Sequence, residues 1–197
     1  MTPTTLEPVT LSGRAVRLEP LTLAHAEALA EVALDPELWT WSPSPVGTRA
    51  DLDRYIGAAR AAQAAGAALP FATVDAASGT VVGSTRFGSW APEHRRVEIG
   101  WTPFARPWQR TAVNTEAKWL MMRHAFEVLD CARVEWKTDA RNARSRAAIL
   151  RLGATEEGTL RSHMATAGGR RDTVYFSVVA DEWPAVGARL AARLARP

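Results

Sequence analysis

Residues 95–117 read RRVEIGWTPFARPWQRTAVNTEA, and this stretch decides the fold. Val97, Ile99 and Trp101 alternate with Arg96, Glu98 and Gly100, the period-two pattern of a strand with one apolar face. A loop rich in Pro, Trp and Arg follows, and a helix opens near Thr115 and runs to Leu129. A loop that feeds a helix N-terminus presents free backbone N–H groups at the positive end of a dipole, which suits a pyrophosphate. Such joints are common and most bind nothing, so this one gains weight only from its neighbours. Glu116, in the expected first turn, complements the dipole but would repel an anion set against it.

Downstream, Arg133–Thr138 reads as a strand, and residues 139–154, DARNARSRAAILRLGA, read as a capped helix over Ala143–Leu152. Asn142 is a good N-cap and Gly153 a good C′ residue. Ser145, Ala148, Ile149 and Leu152 share one helix face, which turns the Ser145 hydroxyl inward. That hydroxyl either bonds its own helix backbone, the commoner case, or lines a ligand channel. Thr155–His163 and Asp172–Val179 form a closing hairpin, and Trp183–Arg196 a last helix.

Upstream, Val9–Leu18 reads as a strand pair turning at Ser12-Gly13, Leu23–Leu34 and Thr48–Ala65 as helices, and Trp39–Gly47 as a Ser/Pro/Trp loop. Pro70–Asp75, Val81–Ser89 and Arg95–Trp101 are three consecutive strands. The strand–helix–strand–helix–strand run in the second half implies a parallel pair inside a mixed sheet. The expectation is an α/β (α+β) fold, a mostly antiparallel sheet flanked by helices. It forms one domain over residues 9–197, after a flexible tail at 1–8.

Composition bounds the function. At 197 residues, 47% apolar, the chain can bury one core. Its net charge of +3 suits an anionic small ligand. The arginines are scattered rather than gathered in a stripe, so a nucleic-acid partner is not expected despite a pI near 9.6. Lys118 and Lys137 are the only lysines. The single cysteine, Cys131, lies among apolar residues and is expected to be a buried, inert thiol. No apolar run approaches the ~20 residues that cross a bilayer, and no signal peptide is read at Met1–Pro8, so a cytoplasmic protein without membrane contact is expected. No metal-ligand pattern is read.

Taken in order, these segments resemble the GNAT superfamily of N-acetyltransferases, from the Val9 strand to about Trp183. They look closest to the branch that includes ribosomal-protein N-terminal acetyltransferases. The Glu98-Ile-Gly-Trp101 strand end, the Thr115-Glu-Ala117 helix start and the Asn142-x-x-Ser145 helix ending Leu152-Gly153 carry the likeness. Asn-x-x-Ser alone is weak; the ordered set is specific. The resemblance implies a GNAT-like sheet with a splayed parallel strand pair, here the strand ending at Trp101 and that at Arg133–Thr138. It implies acetyl-CoA as co-substrate, its pantetheine arm on the backbone of Ile99, Gly100 and Trp101. The pyrophosphate would lie on Gln109, Arg110, Thr111, Ala112, Val113, Asn114 and Thr115, and the arm against Asn142 and Ser145. The partner is an amine acceptor; many relatives form homodimers, though no feature of this chain indicates one.

The chain departs from the family pattern in three places. Gln109 matches the pyrophosphate loop, but its two glycine positions hold Ala112 and Asn114, of which Asn tolerates left-handed backbone. Ile149 stands where many relatives have a tyrosine acid, leaving Ser145 or a water to protonate the leaving thiolate. For the general base, Glu98 matches a carboxylate used in some relatives, with Glu156, Glu157 and then His163 behind it. The alternative reading is a GNAT-like protein that binds CoA or an acyl carrier without catalysis. Trp39, Trp41 and Trp90 either line the acceptor side or, for at least two of them, fill core.

Overall fold

Local rules fix most element ends. In α2 (Arg49–Ala64) the Thr48 hydroxyl accepts from the Asp51 N–H at 3.2 Å while the Asp51 carboxylate accepts from the Thr48 N–H at 2.9 Å, a reciprocal cap. In α4 (Ala143–Leu152) Asn142 Oδ1 accepts from the Ser145 N–H at 3.0 Å, and Gly153 takes the left-handed conformation, φ +100°, that ends the helix. The computed structural model describes residues 5–166 and 168–196.

The other elements are β1 (Leu11–Ser12), β2 (Val16–Pro20), α1 (Ala26–Ala33), β3 (Leu69–Asp75), β4 (Val81–Ala91), β5 (Arg96–Gly100), α3 (Ala112–Glu127), β6 (Arg133–Asp139), β7 (Thr155–Thr166), β8 (Gly169–Val179) and α5 (Trp183–Leu194). Eight strands form one sheet in the order β1-β2-β3-β4-β5-β6-β8-β7. Every neighbouring pair is antiparallel except β5 and β6, as the strand–helix–strand order requires.

Each face of the sheet carries its own core. Val97, Ile99, Val134, Trp136, Phe176 and Val178 pack on one face with Leu120 and Met121 of α3, Leu152 of α4 and Leu190 of α5. On the other face α1 and α2 cover β3 and the start of β4 through Leu29, Leu52, Ile56, Ala72 and Val81. That second cover stops at β4. Beyond it, the same face of β5 and β6 carries Arg96, Glu98, Arg133, Glu135 and Lys137, joined by ion pairs.

Three expectations change. Leu6, placed in a loose tail, is 3% exposed and belongs to the main core; residues 1–4 of that tail lie outside the described residues. Helix α3 begins at Ala112 rather than Thr115, because the Thr111 hydroxyl already accepts from the Val113 N–H at 3.3 Å and caps it. Trp101 leaves the apolar face that alternation assigned to it. Its φ of +49° turns the chain at the strand end, and the ring lies over Gly88, where a Cβ would run into it.

Candidate active site

The parallel pairing of β5 with β6 covers only Arg96↔Arg133, Val97↔Val134 and Glu98↔Glu135. Beyond Glu98, β5 stays with β4 as far as Gly100, while β6 follows β8 to Asp139↔Thr173. The two halves of the sheet therefore diverge. Beyond Glu98 the β6-facing edge of β5 has no strand partner among the described residues, and such an edge accepts an extended, amide-bearing ligand.

The N-terminus of α3 has no acidic residue in its first turn. Glu116, one turn in, points away: its carboxylate accepts from the backbone N–H groups of Arg14 (2.9 Å), Ala15 (2.6 Å) and Val16 (3.0 Å). Gly13 is required there, since a Cβ would collide with that carboxylate. The repulsion that Glu116 threatened from sequence is thus absorbed by the β1–β2 turn. Ala112 and Asn114 are helical, so the left-handed tolerance invoked for Asn114 is not used; the left-handed residue is Arg110, φ +66°. Asn114 keeps a buried Oδ1 that has no partner among the described residues, an acceptor suited to an amide N–H or hydroxyl rather than to phosphate. Gln109 is held between Phe104 O (2.8 Å) and Arg144 (3.2 Å), tying the loop to α4. Asn142 spends its oxygen on the α4 cap, and Ser145 is half-buried beside it.

Glu98 is 3% exposed. Its Oε2 lies 2.8 Å from Lys137 Nζ and accepts from Ser89 Oγ at 2.9 Å. Its Oε1 turns toward Gly100 and stands 3.3 Å from where a Cβ would be, so the missing side chain leaves that oxygen room. The carboxylates behind it are occupied elsewhere. Glu157 is bound by Arg133 and Ser177, and the guanidinium holds it down to about 2. Glu156 pairs with Arg146 at 3.1 Å, and His163 packs edge-on to Tyr175. All three lie on β7, separated from β5 by β6 and β8.

Sequence reasoning gave no role to either lysine, yet both sit at the divergence. Lys118 of α3 is buried on the opposite face from Glu98, its Nζ donating to Thr85 Oγ1 (2.6 Å) and Thr102 Oγ1 (2.8 Å). Both hydroxyls also reach the Gly100 carbonyl, at 3.2 and 3.1 Å. No carboxylate meets this ammonium, and burial pushes it down to about 7. Their isolation in an arginine-rich chain was the available signal, because lysine, unlike arginine, gives up its proton when buried.

On the Glu98 face, Trp101 is 39% exposed and lines a cavity of about 300 Å³ with Tyr55, Arg86 and the Ser42–Val46 loop. A second cavity, of about 350 Å³, is lined by Trp41, Asp139 and Arg141. Trp39 is core, its Nε1 donating to Ala33 O at 2.6 Å, and Trp90 packs against the main core; of the three tryptophans only Trp41 flanks a cavity without being buried. Cys131 is buried, and desolvation pushes its thiol up to about 12, so it is inert as expected.

The mixed sheet thus opens between two parallel strands, with a helix N-terminus free of acidic residues in its first turn at the gap and the half-tied Glu98 carboxylate on one of the two strands. The family described as acetyltransferase (GNAT) domain matches residues 15–155. A GCN5-related N-acetyltransferase from Brucella melitensis superposes with a TM-score of 0.91 at 35% identity, covering 99% of this chain and 90% of that one. Mycobacterium smegmatis RimJ, in complex with CoA-disulfide, gives 0.79 at 25% identity over 97% and 95%. YdaF of Bacillus subtilis, whose name provisionally makes it a ribosomal N-acetyltransferase, is 33% identical over 90 residues, 46% of this chain and 49% of its own. The chain matches about half the length of its curated relatives. It belongs to the GNAT acetyltransferase family. No helix among the described residues is long and apolar enough to cross a membrane.

Proposed function

We propose that the protein is a cytoplasmic, acetyl-CoA-dependent N-acetyltransferase acting on a primary amine. The observation that carries this reading is the divergence of β5 from β6 beside an α3 N-terminus whose nearby carboxylate, Glu116, is sequestered. The RimJ complex with CoA-disulfide supports a CoA donor, and the likeness to YdaF supports a protein N-terminus among the acceptors. The pantetheine arm would pair with the backbone of Ile99, Gly100 and Trp101 and run past Asn142 and Ser145. The pyrophosphate would rest on the N–H groups from Gln109 to Thr115.

In this reading Glu98 Oε1, directly or through a water, takes a proton from the acceptor ammonium. The amine nitrogen attacks the thioester carbonyl carbon, the new C–N bond forms and the C–S bond breaks. The proton left on the attacking nitrogen passes, through Ser145 or a water, to the departing CoA sulfur, so that CoA leaves as thiol. Proton transfer by a positioned group contributes about 10²- to 10⁴-fold, and alignment of the two reactants more.

Titrating acetyl-CoA while following tryptophan fluorescence and melting temperature tests the donor half. Trp101 and Trp108 flank the loop, so saturable micromolar binding with a rising melting point is expected. Thiol release on addition of an amine tests the transfer. No binding at millimolar acetyl-CoA would refute the reading, and binding without thiol release for any amine would favour a non-catalytic carrier protein.

A further inference from the structure

Arg86 is a buried cation without an acid. It lies on β4 opposite Gly100 and is 8% exposed. Its guanidinium sits 5.0 Å from the Tyr55 ring centroid and 4.9 Å from that of Trp101. Both rings are fixed, because the Tyr55 hydroxyl donates to Trp101 O at 3.0 Å and the Trp101 indole lies over Gly88. Among the described residues the Arg86 side chain makes no hydrogen bond and no ion pair. Ring contacts offset part of its desolvation, but an aromatic ring supplies no oxygen acceptor to the guanidinium N–H donors.

The other charges around this cavity cancel. Asp51 caps α2 and pairs with Arg54. Lys137, 5.9 Å from the same Trp101 ring, pairs with Glu98. Arg86 is the uncompensated charge of a cavity of about 300 Å³, a size suited to a small molecule.

We propose that this cavity selects an acceptor amine that also carries a carboxylate, an amino-acid-like molecule, with Arg86 as the fork that receives the carboxylate. The proposal rests on the N-acetyltransferase reading and deepens it. Arg86 faces Gly100 across the β4–β5 ladder, and Glu98 is two residues back on the same strand. Same-face positions in that diagonal relation are roughly 7–8 Å apart. Glu98 lies outside the lining of the cavity, so a small molecule with its carboxylate at Arg86 would reach past Trp101 to bring its amine to Glu98 Oε1. A protein N-terminus would place a neutral peptide group there and leave the guanidinium unpaired. A planar fork held between two rings also suits bidentate pairing with a carboxylate better than a flexible ammonium does.

Two measurements separate this proposal from the function on which it rests. Acetyl transfer is compared between free amino acids and the matching amino-acid amides in the wild type and in Arg86→Gln. The free acids are expected to show a kcat/KM higher by about ten- to a hundred-fold, the size of one desolvated charge-assisted pair, with the preference gone in the variant and partly restored in Arg86→Lys. Amides used as well as acids, or a preference that survives Arg86→Gln, would overturn the proposal while leaving the acetyltransferase reading intact. Binding of N-acetyl amino acids and of their amides, read by Trp101 fluorescence in the presence of CoA, needs no turnover. Carboxylate-dependent binding lost in Arg86→Gln, without transfer to any amine, would keep the anion site and sink the enzyme reading. Equal binding of acid and amide, or of neither, would sink the site.

Discussion

Glu116 and Glu98 are both buried carboxylates near the ends of the elements that frame the opening, 6% and 3% exposed, yet their surroundings differ in kind. Glu116 is tied on both oxygens. Three backbone N–H groups of the β1–β2 turn converge on it, and it occupies the space that Gly13 leaves open. Glu98 is half tied. One oxygen holds Lys137 and Ser89, and the other faces the space that Gly100 leaves empty. A buried carboxylate with both oxygens bound to backbone N–H groups is architecture: it joins the first hairpin to α3. One with an oxygen turned to a gap keeps the capacity to take a proton.

The comparison breaks first at Glu116. Glu116→Ala leaves the buried Val16 N–H without a partner, at about 1–3 kcal/mol, and the part-buried Arg14 and Ala15 N–H groups at less each, so a loss on the order of 2–5 kcal/mol is expected by denaturant unfolding. A melting temperature unchanged in that variant would show that the turn satisfies itself. Glu98→Gln is expected to do the reverse: turnover falls by roughly 10²-fold or more while acetyl-CoA still binds. Equal loss of donor binding and rate would remove Glu98 from the chemistry.

Lys118, on the far side of the same Gly100 carbonyl, sharpens the contrast, since it is a buried charge paired only with hydroxyls. Burial holds its pKa near 7, below the ordinary value of 10.5, so between those limits the unfolded chain binds the extra proton and folded stability rises with pH. Lys118→Met should remove that rise. The variant gains on the wild type below pH 7, and the difference changes by on the order of 2 kcal/mol between pH 7 and 9, as read from urea midpoints. Parallel pH profiles for the two proteins would mean that the lysine stays charged throughout.

The smallest effect is expected at Asn142. Asn142→Ala removes the α4 cap, about 1 kcal/mol, and by loosening the helix beside the arm raises the Michaelis constant for acetyl-CoA. An unchanged constant with the stability loss present would make Asn142 a cap and nothing more.

Much of this was legible in the chain. The alternation at Arg96–Gly100, the Asn142 and Thr48 caps and the Gly153 terminator are patterns set by residues within a turn or a strand of one another, and the elements formed where those patterns placed them. Local reading failed at two element ends. The helix expected from Thr115 opens at Ala112 under the Thr111 cap. Trp101 continued an apolar alternation that a single left-handed residue ended.

The chain by itself therefore determined the class of fold, the order of strands and helices and the family likeness, because these rest on short-range periodicity and on capping. Tertiary structure alone decided what each charge does. Glu116 meets its partners about a hundred residues away in sequence, Lys118 loses its water to strands β4 and β5, and Lys137 claims one oxygen of Glu98 and leaves the other. Arg86 is clamped between rings from α2 and from the end of β5. Burial and charge pairing depend on which distant segments are brought within a few ångströms, and no window of sequence contains that information.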